Sequence, residues 1–458
     1  MNSLILSALS GIVMMFSGFF LKRNAAVRGL AVALLIVLIG AAVLDLRGTQ
    51  LFRVNTFATM MVFDRFASLF IIVALGCTLA YFLLSGRDME RVGNSYSDYF
   101  ALIFFILAGV AMTAAFQNLL ILFLGIEIIS IPLYILAGSE KNNLKSNEAG
   151  LKYFLMGSFS TGLMLMGIAL CYGAAGTFDN DGLAAAAASS PVLMITGMML
   201  LLFALSFKVS AAPFHFWTPD VYDGTPTVFT SFMATVVKAA GFVAFMKLFA
   251  EAFGTIAPQW KLLVGIIVAA TLFIGNITAV FQQSVKRMLA YSSIAQAGFM
   301  MMAVYSINDD AREGLILYAA AYSLATIGIF AVLARMEDQS FEGFNGFARQ
   351  QPLVAGALVI FVLSLAGIPL TAGFMSKFYM LRATMSGGSL FLALFAVLMA
   401  AVSVYYYFRL LQAMYFREGG SGGTLVLNSG FKATLVALAA ITILLGLFPS
   451  LLTGHLYF

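Results

Sequence analysis

Four ionisable side chains stand inside long apolar runs: Glu127, Lys208, Lys238 and Lys377. A charge at the centre of a bilayer costs about 2.5 kcal/mol or more, so such residues face protein or water and find partners. Glu127, in Gly125-Ile126-Glu127-Ile128-Ile129-Ser130, has no acid or base within ten residues on either side. Its partner must come from another segment. Burial favours a neutral amine and a nearby carboxylate restores the ammonium, so a lysine beside a movable negative charge can load and unload a proton. The bland use of the same residues is a static ion pair that fixes helix packing. His215, seven residues after Lys208 and just beyond Pro213, either relays a proton through its ring nitrogens or caps a broken helix end. Glu148 and Lys152, one turn apart, either pair locally or snorkel at a helix end. Asp220 and Asp223 are read as solvated or capping, with a proton entrance as the sharper alternative.

The segments that must position these groups follow from composition. Of 458 residues, 62% are apolar and 10% charged, against roughly 45–50% and 25% in a soluble domain. With 44 Phe and a mean hydropathy of +0.99, a soluble enzyme is excluded, because such a surface would expose very large apolar patches. The apolar runs lie near 4–21, 29–46, 60–84, 98–116, 119–138, 150–173 and 191–216. They continue near 227–250, 260–281, 287–306, 313–334, 352–380, 389–416 and 432–453. About fourteen spans of about 22 residues each leave no room for a large extramembrane domain. The runs are continuous rather than alternating, which excludes a barrel. The first run precedes Lys22 and Arg23 and has no basic segment before it, so it reads as a span and not as a signal peptide.

Spans seven and twelve carry the clearest interruptions, Pro213 with Pro219 and Gly367-Ile368-Pro369 with Gly373. A proline removes a donor and clashes one turn back, and irregular backbone at that depth must line a cavity or pack on protein. The pair is five spans apart. So is a sequence echo: Tyr153, Ser158 and Thr161 follow Glu148 at the same offsets at which Tyr318, Ser323 and Thr326 follow Glu313. An odd number of spans between copies predicts a second unit inverted across the membrane, the arrangement that places a path at the midplane.

Basic residues set the expected orientation. Connections after odd-numbered spans carry Lys22, Arg23, Arg87, Arg91, Lys141, Lys145, Lys286 and Arg335 among others, whereas the 176–191 connection has only Asp179 and Asp181. Odd connections are therefore expected in the cytoplasm and both termini outside, with Arg47 and Arg53 running against the trend. Lys247, Arg382 and Arg409 lie near run ends and are expected to anchor there; Tyr405, Tyr406 and Tyr407 read as an interfacial belt. The formal charge of +5 is scattered over loops and predicts no nucleic-acid partner. Cys77 and Cys171 lie within apolar runs, so neither a disulfide framework nor a metal site is expected. Met300 to Met302 read as core. No phosphate loop, dinucleotide fingerprint or haem pair is visible, and redox chemistry is not expected of this chain.

The stretch Phe207-Lys208-Val209-Ser210-Ala211-Ala212-Pro213-Phe214-His215-Phe216-Trp217-Thr218-Pro219-Asp220-Val221-Tyr222 closely resembles the signature of the antiporter-like membrane subunits of respiratory complex I. The Asp220-Val221-Tyr222-Asp223-Gly224-Thr225-Pro226-Thr227 form, and the lack of a long C-terminal extension, look most like the subunit N branch. Gly367-Ile368-Pro369-Leu370-Thr371-Ala372-Gly373-Phe374-Met375-Ser376-Lys377 is similar to the family's second broken helix. The resemblance covers essentially the whole chain. It implies an all-α polytopic fold of fourteen helices. Helices 1–3 take 1–97, a first five-helix repeat 98–250, an inverted second repeat 260–416 and a last helix 432–458. It further implies that Glu127 is the key carboxylate of span five, Lys208 its partner, Lys238 the central lysine and Lys377 the terminal one. His215 would lie between the first two lysines, and Glu148 with Lys152 would form a conducting or modulating pair. The implied function is proton translocation in a bacterial inner membrane, driven by quinone reduction elsewhere in a proton-pumping NADH:quinone oxidoreductase. This chain would bind no cofactor, while NADH, FMN, iron-sulfur clusters and quinone would belong to other subunits, its partners together with lipid. The alternatives are a sodium/proton antiporter or its subunit, a membrane subunit of a related ferredoxin-dependent or hydrogenase complex, or a purely structural subunit.

Overall fold

Long apolar runs with every backbone group paired inside the segment can only be helices here, and the computed structural model is built of them. It describes residues 1–49, 51–52, 59–93, 96–189, 192–418 and 427–457; Arg53 lies outside these. Helices α1 (Asn2–Phe20), α2 (Asn24–Leu46) and α3 (Arg65–Ser85) precede α4 (Tyr96–Ala115), α5 (Leu119–Ala137) and α6 (Leu144–Ala175). A short α7 (Asn180–Ala188) leads to α8 (Val192–Lys208), α9 (Trp217–Gly224), α10 (Thr227–Phe232) and α11 (Lys238–Glu251). Then come α12 (Ala257–Val280), α13 (Val285–Ser306), α14 (Asp309–Leu333), the one-turn α15 (Phe347–Gln350), α16 (Pro352–Ala366) and α17 (Ala372–Ser386). The series closes with α18 (Leu390–Phe416), α19 (Ser429–Leu447) and α20 (Ser450–Thr453). Twelve helical segments among the described residues are long and apolar enough to cross a membrane, with α8 and α16 as shorter apolar helices.

Both short helices end at the expected interruptions. Span seven stops at Lys208, earlier than the run to 216 suggests, and resumes at Trp217; span twelve stops at Ala366 and resumes at Ala372. The polar backbone freed at the first break is accounted for locally. Ser210, at φ 63°, turns the chain, Ala211 N–H returns to the Ser206 carbonyl at 2.8 Å, and Trp217 Nε1 donates to the Phe207 carbonyl at 3.1 Å. Ala212 N–H is taken by Thr271 Oγ1 on α12 at 2.8 Å. At the second break Gly367, at φ 84°, lets Gly367 and Ile368 N–H bond back to Leu363, the closure that left-handed glycine permits after a helix.

The helices sort by depth. A continuous stretch of α14 is wholly buried, and α11 and α13 are nearly so, whereas α1, α2, α6 and α19 present mostly exposed apolar faces. A helix apolar all round belongs at the centre of the bundle. Large exposed side chains such as Phe159 and Phe391 suit lipid or a neighbouring membrane chain. Connections fall into two ends. Arg335 meets Asp88 and Lys286 meets the Asp223 carbonyl at the end carrying the odd connections, hereafter the basic end. At the other, Asn118 bonds Asp179 and Met1 bonds Asp45.

Two expectations are corrected here. Only Tyr405 of the tyrosine triplet is exposed; Tyr406 and Tyr407 are fully buried because α18 turns that face onto α12, α13 and α16. Lys247 does not anchor at an interface. Packing of α11 against α4 buries it, with Nζ 3.4 Å from the Ala114 carbonyl, 5.5 Å over the Phe116 ring and 3.9 Å from Glu251. Arg409 does sit at a helix end, donating to the Val280 and Gln282 carbonyls. Arg382 pairs with Asp310, and Met300 to Met302 are core.

Candidate functional site

Glu127 and Lys208 meet at the first break. Glu127 Oε1 accepts a hydrogen bond from Thr161 Oγ1 on α6 at 2.7 Å and lies 3.7 Å from Lys208 Nζ. The amine also donates to Ser130 Oγ at 3.0 Å and reaches Tyr134 Oη and Thr161 Oγ1, each at 3.5 Å. Ser130 is one turn beyond Glu127, so α5 supplies both an anion and a neutral acceptor to the same amine. The separation from the carboxylate is long for a charge-assisted bond, whereas the serine contact is ordinary. Lys208 is therefore held between alternatives rather than locked to Glu127. Tyr153 stacks on Trp217 at 4.8 Å and packs edge-on against Tyr134, an aromatic cluster beside this group.

Lys238 is a second centre. It follows a π-helical turn, Met233–Val237, a local widening that recurs at functional sites. Its amine is buried and donates to Ser293 Oγ at 2.9 Å and to the Ser293 carbonyl at 3.3 Å, 5.3 Å over the Tyr222 ring. No carboxylate pairs with it among the described residues. Lys377, also buried, donates to the Leu365 and Ala366 carbonyls at 2.8 and 3.1 Å. It thus satisfies the last carbonyls of α16, which helix termination leaves without partners. The Phe299 ring lies 4.8 Å away. The two broken spans differ in one respect: Lys208 ends the first half-helix, whereas Lys377 sits in the second half and reaches back.

His215 Nδ1 is buried and without a hydrogen-bond partner among the described residues, and the ring lies beside the Pro213 backbone at the first break. Trp217 and Lys377 meet the freed carbonyls of Phe207, Leu365 and Ala366. Glu148 and Lys152 stand apart from the buried amines, at the basic end. Lys152 bonds Glu148 at 2.7 Å and Asp220 at 3.1 Å, and Asp220 bonds Arg287 at 3.0 Å. This half-exposed chain of charges ties α6, α9 and α13 together. Asp220 is a bridge between two cations and not a solvated cap. Burial pushes its carboxyl up, but the Lys152 and Arg287 hydrogen bonds outweigh that and hold it below the usual range. Beside this network a polar cavity of about 560 Å³ opens at the basic end, its wall including Lys145, Asp223, Thr225, Lys286 and Asp338.

Span ten supplies what the sequence reading missed. Gln296 Nε2 donates to the Leu365 carbonyl and to Tyr407 Oη, each at 3.0 Å, and its Oε1 accepts from Tyr318 Oη. Ser292 bonds Tyr407 at 2.5 Å. A single helix, α13, therefore touches the partner of Lys238 and the carbonyl held by Lys377. Tyr318 was visible as a member of the internal echo; an uncharged glutamine in an apolar run gave no comparable signal.

Buried cations at two helix breaks, in an all-helical membrane bundle, define a class that the comparisons make specific. The family described as NADH:quinone oxidoreductase/Mrp antiporter, transmembrane, matches residues 115–403, and the chain belongs to it. Within that family, NADH-quinone oxidoreductase subunit N of Cytophaga hutchinsonii is 40% identical over 462 residues, covering 99% of this chain and 98% of its own. A chain in the structure of respiratory complex I from Thermus thermophilus with bound aureothin is 31% identical. It superposes with a TM-score of 0.84 over 99% of this chain and 98% of that one. A chain of the Mrp complex from Dietzia sp. matches with a TM-score of 0.87 at 20% identity over 99% and 95% of the two chains, a likeness of fold alone.

Proposed function

We propose that this chain is the proton-translocating, non-redox N subunit of a bacterial NADH:quinone oxidoreductase, seated in the inner membrane with its basic end in the cytoplasm and both termini outside. The observation that carries the reading is the Lys208 amine, held within reach of Glu127 at a mid-membrane helix break. Full-length likeness to a subunit N and to complex I supports the assignment. NADH, FMN, iron-sulfur clusters and quinone are then handled by partner subunits.

In this scheme a change of charge outside the chain alters the balance at Glu127. When Glu127 holds its negative charge near the amine, Lys208 keeps its proton. When that charge is neutralised or drawn away, burial favours release. The proton passes through water and His215 to Lys238, then to Lys377, and each buried amine exchanges one proton and ends as it began. Hydrogen-bonded serines and freed carbonyls offer each ammonium a place without a permanent counter-charge, which keeps transfer reversible. The inverted five-helix units of 98–250 and 260–416 carry one broken span each, and the Glu148, Lys152, Asp220 and Arg287 network modulates access from the basic end. Purification in mild detergent tests the assignment. Flavin and iron-sulfur subunits are expected in the eluate; a chain that elutes alone and exchanges sodium for protons without any redox substrate would refute it.

A further inference from the structure

Lys377 follows Gln296 by the same number of residues as Lys208 follows Glu127. The two pairs are also built alike. Glu127 on span five accepts a hydrogen bond from Thr161 of α6 and lies beside the amine of broken span seven. Gln296 on span ten accepts one from Tyr318 of α14 and meets the amine of broken span twelve at a shared oxygen, the Leu365 carbonyl. The helices that donate, α6 and α14, are the two segments of the sequence echo. Where the first pair has a carboxylate, the second has a carboxamide that is 2% exposed. Its surroundings require one: a carbonyl only accepts, so Leu365 can be met by an Nε2 hydrogen and not by a carboxylate oxygen.

We infer that Gln296 is the neutral counterpart of Glu127, a positioning residue that holds Lys377 in one place in both of its protonation states and so confines control by charge to the first broken span. The inference rests on the proton-translocation reading above. Pro369, which has no N–H, stands where the helical donor to Leu365 would be. The two lone pairs of that carbonyl are taken instead by Lys377 Nζ at 2.8 Å and Gln296 Nε2 at 3.0 Å. The second Nε2 hydrogen goes to Tyr407 Oη at 3.0 Å, which pins the amide. Lys377 spends two hydrogens on the Leu365 and Ala366 carbonyls; an ammonium has three and a neutral amine two, so loss of the proton breaks neither bond. On the helices packed against α17, the titratable groups near this amine are Tyr318 and Tyr322 of α14 and, through Gln296, Tyr407 of α18 with Tyr406 beside it. The acids of α14, Asp310 and Glu313, are engaged at the helix end by Arg382 and Tyr457. Lys238 on α11 reaches α13 one turn away, at Ser293. No carboxylate pairs with Lys377 among the described residues.

The test measures protons translocated per NADH oxidised, from pH 6 to 9, in inverted membrane vesicles carrying the assembled complex. Gln296→Glu installs the missing carboxylate, and an opposite charge so close favours the ammonium by about tenfold or more. The ratio is expected to fall roughly tenfold at pH 7 and to recover as rising pH draws the proton off. Gln296→Met removes the amide without adding charge, so a several-fold lower ratio at the wild-type pH optimum is expected; Lys377→Ala is the reference. A wild-type ratio in Gln296→Glu beside a low one in Lys377→Ala, or a fall in Gln296→Glu that is equal at every pH, overturns the inference and leaves the proposed function standing. A normal ratio in Lys377→Ala overturns both. Should Gln296→Glu fail to assemble, Gln296→Met decides: a normal ratio or a displaced optimum overturns the inference, and a low ratio at an unmoved optimum supports it.

Discussion

At the scale of single residues, Glu127, Lys208, Lys238 and Lys377 were legible because a charge in an apolar run has few benign explanations. Their partners were less so. Ser130, Ser293 and Gln296 are uncharged, and nothing in composition separates them from residues that simply bond their own helix. Lys247 went unread for the opposite reason: its place near a run end suggested water, and only the packing of α4 against α11 buries it. The surroundings of Asp220 also set how it responds to pH. Asp220 is held below its ordinary range by Lys152 and Arg287, so its contribution is present at neutral pH and is lost only as pH falls through that lowered value, below 3.8. Between pH 6 and 8 proton transfer should therefore be insensitive to Asp220 titration. Asp220→Asn should nonetheless slow pumping by a few-fold, as Lys152 and Arg287 lose their shared anion, and added salt should weaken the wild-type network toward the same rate. Pumping rates in vesicles over a salt series check this; an Asp220→Asn rate equal to wild type at low salt would contradict it.

At the scale of elements, the two breaks were marked by proline and glycine, but how they are held was not. Glycine at 373 is required by approach rather than by conformation, since a Cβ there would lie 1.8 Å from the Ser364 carbonyl oxygen. Gly373→Ala should spread α16 from α17, pull Lys377 from the Leu365 and Ala366 carbonyls, and reduce assembly as well as pumping, read as loss of the intact complex on a native gel. Thr271 is a subtler support, because it accepts Ala212 N–H at the first break from span nine. Thr271→Val keeps the shape and leaves that amide unpaired, a cost of about 1–3 kcal/mol. Lower thermal stability with near-normal expression is the expected result. The π-helical turn before Lys238 carried no sequence mark, because it arises from one extra residue in a run of Met, Ala, Thr and Val with ordinary helix chemistry.

Across the whole molecule, counting runs and basic residues recovered fourteen spans and their grouping into two ends, because both depend only on length and charge. Relations between distant segments were out of reach. Arg335, read as a topology marker, is also a clamp: its guanidinium holds Asp88 at 2.9 Å, donates to the Leu84 carbonyl at 3.1 Å and stacks 3.7 Å over Phe431. It joins α3, α14 and α19 across 251 positions of sequence. Removing one partner of a buried pair leaves an uncompensated charge, so Arg335→Ala should cost about 3–5 kcal/mol, seen as a lowered melting temperature of the purified complex, whereas a double change to apolar residues of similar volume should recover most of it.

The central claim is that the charge on Glu127 governs the proton on Lys208. Glu127→Gln preserves shape and the Thr161 contact while abolishing that charge. The most direct measurement is the number of protons translocated per NADH oxidised by the assembled complex carrying this one substitution. The account predicts a several-fold fall in that ratio with assembly intact; an unchanged ratio would contradict it.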